Sequence, residues 1–146
     1  QTSNDLSLSS CQLFHEQRKV MCDYVHKNST MHTFIHSCGS MYKFIPDLIN
    51  EGIEIINPVQ TNCLDMDPAK LKKEFGKDIV FWGGSMDPRE IFNNRTPEEV
   101  KKEAIRRIEI LAPGGGFVFN NIHNIMPDVS PENVVAMFEA VSEFGK

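Results

Sequence analysis

Two residue types that carry much of protein chemistry stand two positions apart in FIHSCGS at 34–40, where His36 and Cys38 follow an apolar run and precede Gly39. Imidazole and thiolate are good Zn²⁺ ligands, and a catalytic zinc needs at least three protein ligands plus an open position. The sequence supplies two here, with His123 or Cys63 as the candidate third. No CxxC or HExxH spacing fixes such a set, so the same pair reads equally as a pocket wall or as packing. A second concentration is NNIHNIMPD at 120–128, a polar loop that sets His123 between a strand and a proline-capped helix. Loops carry chemistry on a rigid scaffold, and histidine exchanges its proton near neutral pH, so His123 is the better acid/base candidate. His15, His26 and His32 lie in or beside the first helix and read as surface or packing residues.

Such groups need elements to hold them. Residues 10–27 bring Cys11, Phe14, Met21, Cys22 and Val25 near one face at helical spacing, which predicts an amphipathic helix with its cysteines inward. HTFIHS then reads as a buried strand, MYKFIPDLINEG as a helix closed by Gly52, and IEIINP as a second strand. The alternation continues with helix 68–76, strand 78–83, helices near 88–93 and 97–112, strand 116–121 and helix 131–145. Strands separated by helices predict parallel βαβ units. Four helix starts share one local grammar: DPAK at 67–70, DPRE at 87–90, TPEE at 96–99 and SPEN at 130–133. Each offers a capping oxygen and then a proline whose missing N–H is of no consequence in the first turn, and Glu90 and Glu99 add capping boxes. APGGGF at 112–117 lacks the spacing of a nucleotide-binding fingerprint and reads as a tight entry to the last strand. The methionines and phenylalanines of MYKF and AMFEAVSEF fall at helical spacing and are assigned to the core.

Parallel sheets place their ligands at the carboxyl ends of their strands. After the first strand come His36-Ser37-Cys38-Gly39; after the second, Asn57-Pro58-Val59-Gln60; after the third, Gly83-Gly84 and Asp87; after the fourth, Asn120-Asn121 and His123. These groups are predicted to converge on one rim. Asn57 and Gln60 offer hydrogen bonds to a polar ligand, although Asn-Pro is also ordinary turn chemistry. Capping of a helix at Pro88 accounts for Asp87.

The chain has 146 residues, 40% of them hydrophobic, and a net charge of −5 from interspersed acids and bases. That length and composition suit one ordered domain over 1–146. The densest basic stretch, KKEAIRR at 101–107, carries a glutamate and reads as a solvated helix face, so neither nucleic acid nor a membrane surface is implied. Four cysteines are too sparse for a disulfide scaffold, and no apolar run reaches the roughly 18 residues that would span a bilayer. Free thiols and a cytoplasmic location are the expectation.

The segments FIHSCGSMYKFIPDLINEGIEIINPVQ, LKKEFGKDIVFWGGSMD and TPEEVKKEAIRRIEILAPGGGFVFNNIHNIMPDVSPENVVAMFEA, with LSLSSCQLF less clearly, resemble the C-terminal half of the uroporphyrinogen decarboxylase family, a (β/α)8-barrel group. The resemblance implies an α/β fold built as part of such a barrel, with about four parallel β/α units. The family includes decarboxylases that remove acetate carboxyls from a tetrapyrrole without a cofactor, and methyltransferases that exchange methyl groups with corrinoid proteins, some with zinc. Under the first reading His123 matches a catalytic pocket histidine, with His36, Cys38, Asn57 and Gln60 around the substrate. Under the second, His36 and Cys38 match metal ligands, the metal activating a thiol. The third ligand of that group is a cysteine placed in the glycine-rich turn, where this chain has Gly114-Gly115-Gly116. A non-catalytic binding or assembly role is a third reading. A whole barrel needs about 250 residues. A half-barrel leaves open strand edges, which implies a homodimer or pairing with an N-terminal half.

Overall fold

The predicted alternation is present in the computed structural model, which describes residues 13–87 and 91–144. Along the chain run α1 (His15–Asn28), β1 (Phe34–His36), α2 (Ile45–Glu51), β2 (Ile55–Asn57), α3 (Pro68–Phe75), β3 (Val80–Trp82), α4 (Pro97–Leu111), β4 (Phe117–Val118) and α5 (Pro131–Phe144). Three helix starts follow the grammar of their sequence. Asp67 accepts the Lys70 N–H at 2.8 Å, Thr96 and Glu99 close a capping box, and Ser130 Oγ accepts the Asn133 N–H at 3.2 Å. Each cap contributes about 1 kcal/mol. The DPRE start and Glu90 lie outside the described residues, although the Asp87 carbonyl accepts the Ile91 and Phe92 N–H groups.

Two boundaries differ from expectation for backbone reasons. MYKFIPDLINEG is not one helix but a 3₁₀ turn, Tyr42–Phe44, followed by α2, because Pro46 fits only in a first turn. Gly52 ends α2 at φ +90°, and a Cβ there would stand 3.1 Å from Cys22 Cβ, so α1 comes this close only over glycine. The predicted strand at 116–121 keeps only Phe117–Val118. Beyond it the Asn120 carbonyl accepts from the Ser85 N–H instead of a strand neighbour.

The strands form one open parallel sheet in the order β1-β2-β3-β4. Their register aligns Ile35, Ile56, Phe81 and Phe117 across one face. That face packs under the helices with Cys22, Ile45, Leu48, Leu71 and Leu111, while α4 and α5 close a second cluster around Phe92, Val100, Ala104 and Met137. The other face carries Phe34, Ile55, Val80, Trp82 and Val118, all exposed or half-buried, with Phe34 edge-on to Trp82 at 5.6 Å. Four parallel β/α units in an unclosed sheet make a partial (β/α)8 barrel. Among the described residues no helix is long and apolar enough to cross a membrane.

The first helix keeps only part of its predicted inward face. Cys22 is buried as expected, but Phe14 and Met21 are 59% and 57% exposed, and Cys11 lies outside the described residues. What docks α1 is charge: the fully buried Glu51 carboxylate receives Arg18 Nε at 2.5 Å and a second guanidinium nitrogen at 2.6 Å, with His15 Nδ1 at 2.8 Å. Burial raises the Glu51 carboxyl, yet the Arg18 and His15 hydrogen bonds outweigh it and hold it below the usual range. A neighbouring lock sits at the amino ends of β1 and β2. Glu54 accepts from the Thr33 N–H at 2.8 Å and pairs with His32 at 2.8 Å and His26 at 3.0 Å. Against an upward push from burial, these bonds bring the Glu54 carboxyl down to about 2. In α5, Met137 is buried, whereas Phe138 and Phe144 face outward, contrary to their assignment to the core.

Candidate functional site

Parallel pairing carries the four strand ends to one rim, as the spacing predicts. At β1, His36 Nδ1 lies 2.7 Å from Asn57 Oδ1, and Asn57 Nδ2 donates to the Trp82 carbonyl of β3 at 3.1 Å. Both polar groups of Asn57 therefore meet protein partners, and its place is to hold His36. Gln60, after the cis Asn57–Pro58 peptide, accepts the Gly39 N–H at 2.7 Å, and no described residue takes up its NH₂. Gly84, at φ +89°, lets the turn after β3 pass under Val59, since a Cβ there would stand 2.9 Å from Val59 Cβ. That turn anchors the loop bearing His123: Ile122 N–H donates to the Met86 carbonyl at 2.9 Å, and Asn121 Nδ2 donates to the His123 carbonyl.

Two cavities meet at Ile122 and His123. One, of about 300 Å³, is lined by Cys38, Pro58, Gln60, Asn62, Asp87 and Asn93 with Met126 and Asp128. The other, of about 560 Å³, is lined by His36, Asn57, Asn120, Asn121, Asn124 and Ile125. The five sequence candidates, His36, Cys38, Asn57, Gln60 and His123, thus line two cavities that share Ile122 and His123. His15, His26 and His32 do not; they serve the Glu51 and Glu54 locks.

Sequence reasoning missed Asn62 and Asn93. Asn62 donates to Asp87 Oδ2 at 2.5 Å across 25 positions, and Asn93 donates to Asp128 Oδ2 at 2.6 Å across 35. Nothing local marks either asparagine. Asp87 had a signal, its position just past a strand end, but its helix-capping role masked it. Among the described residues neither lysine nor arginine lines the two cavities, and those residues offer an anion hydrogen bonds from imidazole and amide groups.

The donor set was tested against zinc. Cys38 Sγ lies 3.7 Å from His36 Nε2, which is two candidate ligands. Among the described residues no group of three His, Cys, Asp or Glu side chains is gathered to hold a metal ion. Gly114-Gly115-Gly116 precede β4, and Gly114 and Gly116 border a cavity with His32, Glu54 and Lys72 at the amino ends of the strands, opposite His36. A residue in that turn does not face the His36–Cys38 pair, because in a parallel sheet the segment entering a strand sits at the other end from the segment leaving its neighbour. Cys63 does not complete the set, and its thiol is pushed up by burial and then by the nearby Asp87 and Cys38. The residues present do not fit a three-ligand zinc centre.

Comparison with known proteins gives the family. The family model for uroporphyrinogen decarboxylase (URO-D) matches residues 12–144. The chain is 42% identical over 67 residues to a uroporphyrinogen decarboxylase of Pseudoalteromonas translucida, covering 46% of this chain and 18% of that protein. It is 38% identical over 78 residues to the one from Nitrosococcus oceani, 53% of this chain and 21% of the relative. With the Magnetococcus marinus enzyme it shares 28% identity over 112 residues, 77% of this chain and 29% of the relative. The chain therefore spans less than a third of the length of the curated relatives it matches. With an open sheet of parallel β/α units, a polar rim at its carboxyl ends and a family match over nearly its whole length, the chain belongs to the uroporphyrinogen decarboxylase family.

Proposed function

We propose that this rim serves decarboxylation of a carboxylated tetrapyrrole, the chemistry in the names of the relatives, with no metal and no organic cofactor. The observation that carries the reading is the position of His123 on the wall shared by the two cavities. There its ring orients and polarises a substrate carboxylate, Gln60 donates from its NH₂, Asn57 holds His36, and His36 with Cys38 shapes the wall. The reading places the protein in porphyrin biosynthesis, as a lyase of the cytoplasm.

The open sheet has two unpaired edges, β1 and β4, and the site is completed by further β/α units. The exposed apolar side chains support that reading. Leu13, Phe14, Val20, Met21 and Tyr24 lie along α1 and the residues before it, and Val135, Phe138 and Phe144 lie along α5. These helices flank the two open edges, β1 and β4, whereas α2, α3 and α4 expose no large hydrophobic residue. Head-to-tail pairing of two copies sets β4 beside β1 and stripe against stripe, closing eight strands into a ring. Sedimentation at micromolar concentration tests this assembly, and a stable compact monomer overturns it.

The activity is tested by measuring carbon dioxide release from uroporphyrinogen by the purified chain. His123→Asn is expected to lower the rate on the order of a hundredfold or more, the scale of a positioned proton-exchanging group. Unchanged turnover in that variant removes His123 from the chemistry. Methyl transfer to a thiol with about one zinc per chain, lost in Cys38→Ser, replaces the decarboxylase reading with the methyltransferase one.

A further inference from the structure

His36, Cys38 and Asn57 are connected in a way to which the proposed decarboxylation gives only a shaping role and which a two-donor metal site does not explain. Cys38 Sγ lies 3.7 Å from His36 Nε2, and on the far side of the ring Nδ1 lies 2.7 Å from Asn57 Oδ1. The orientation of the Asn57 amide follows from its second contact, because the Trp82 carbonyl at 3.1 Å only accepts and must face the NH₂. Its Oδ1 then requires hydrogen on Nδ1, which leaves the Nε2 lone pair toward the thiol. A nucleophile, a base within reach of its proton and a group fixing the base from behind form the arrangement that activates cysteine. Cys38 is exposed; Cys22 is buried, and Cys63 is half-buried and contacts Asn62.

We propose that Cys38 is a covalent modification site for small carbon electrophiles conjugated to a carbonyl. His36 Nε2 takes the Cys38 proton while the sulfur electron pair forms a bond to the β-carbon. The π pair of the alkene shifts to the α-carbon and carbonyl oxygen, and His36 returns the proton to the α-carbon. The product is a thioether by net addition, with no leaving group and no oxidant. Cys38 and Gln60 line the same 300 Å³ cavity. Gln60, with its carbonyl taken by the Gly39 N–H, presents its NH₂ to the oxygen that gains charge. Asn57 is a positioning residue that acts through His36.

The test is the rate of acrylamide addition to each cysteine of the full chain at neutral pH, assigned by peptide mass spectrometry. His36→Ala is expected to slow Cys38 on the order of tenfold or more while leaving Cys63 unchanged, the scale expected for removing an activating base. Cys63 thus reports whether the variant keeps its fold. Asn57→Leu should slow Cys38 several-fold and Asn57→Asp, which keeps the acceptor, should restore it, a rescue that a merely structural role does not produce. A Cys38 rate within twofold of wild type in His36→Ala overturns the proposal, leaving an exposed but ordinary thiol. Protection of Cys38 by one equivalent of zinc also overturns it, since the pair is then a metal site.

Discussion

The two ends of the same short sheet use histidine in opposite ways. At the amino ends, His26 and His32 converge on the Glu54 carboxylate and His15 on Glu51. At the carboxyl ends His36 faces the neutral Asn57 amide, and His123 lines both cavities. A carboxylate partner fixes the imidazole as a structural clamp. A neutral amide fixes the ring's tautomer and orientation while leaving its other nitrogen free for chemistry. The end with the ion pairs reads as the scaffold, and the end with the neutral contacts carries the proposed site.

Breaking the clamp should produce the largest effect. Arg18→Ala leaves the Glu51 carboxylate buried without its guanidinium, and about 3–5 kcal/mol of stability should be lost in urea unfolding. A loss under about 1 kcal/mol means that α1 is not docked by charge. Next comes Gly84→Ala at the rim, where a left-handed backbone and a 2.9 Å approach to Val59 Cβ combine. About 1–3 kcal/mol of destabilisation is expected, and because the same turn anchors residues 120–122, decarboxylation should fall more steeply than stability.

Acid sharpens the contrast. The folded-state Glu54 carboxyl sits at about 2, below its ordinary 4.5. Its contribution is fully present above the ordinary value and is lost as the pH falls toward 2. Glu54→Gln should flatten that acid limb by up to about 1 kcal/mol, since the pair is partly exposed. A fall of equal slope in both proteins assigns the limb to Glu51 and other carboxylates. The smallest expected stability change is at the rim itself. His123→Asn and His36→Ala alter exposed side chains and should stay within about 0.5 kcal/mol of wild type in urea unfolding.

Much of this was legible in the sequence wherever the cause is local. Asp67, Thr96 and Ser130 cap their helices because an N-cap bond spans three positions and needs no other part of the chain. The rim residues were legible for a related reason: once strands alternate with helices, parallel pairing follows, and whatever comes after each strand shares one edge. The polarity of α1 was not legible. Hydrophobic spacing pointed Phe14 and Met21 inward, but the deciding partner, Glu51, stands 33 positions from Arg18 and is itself an acid in a core position. No periodicity reports a buried carboxylate, because its burial is allowed only by cations brought from elsewhere.

By itself, then, the sequence determined the helix starts, the strand–helix alternation, the parallel sheet and the set of groups collected at its carboxyl ends. Tertiary structure alone decided which of those groups touch. It set His36 against Asn57 across 21 positions, Asn62 against Asp87 across 25, and the glycine turn at the far end from Cys38. Backbone hydrogen bonds and caps are short-range and written in consecutive residues. Side-chain contacts across a sheet depend on register and on loop paths, which exist only once the strands have paired.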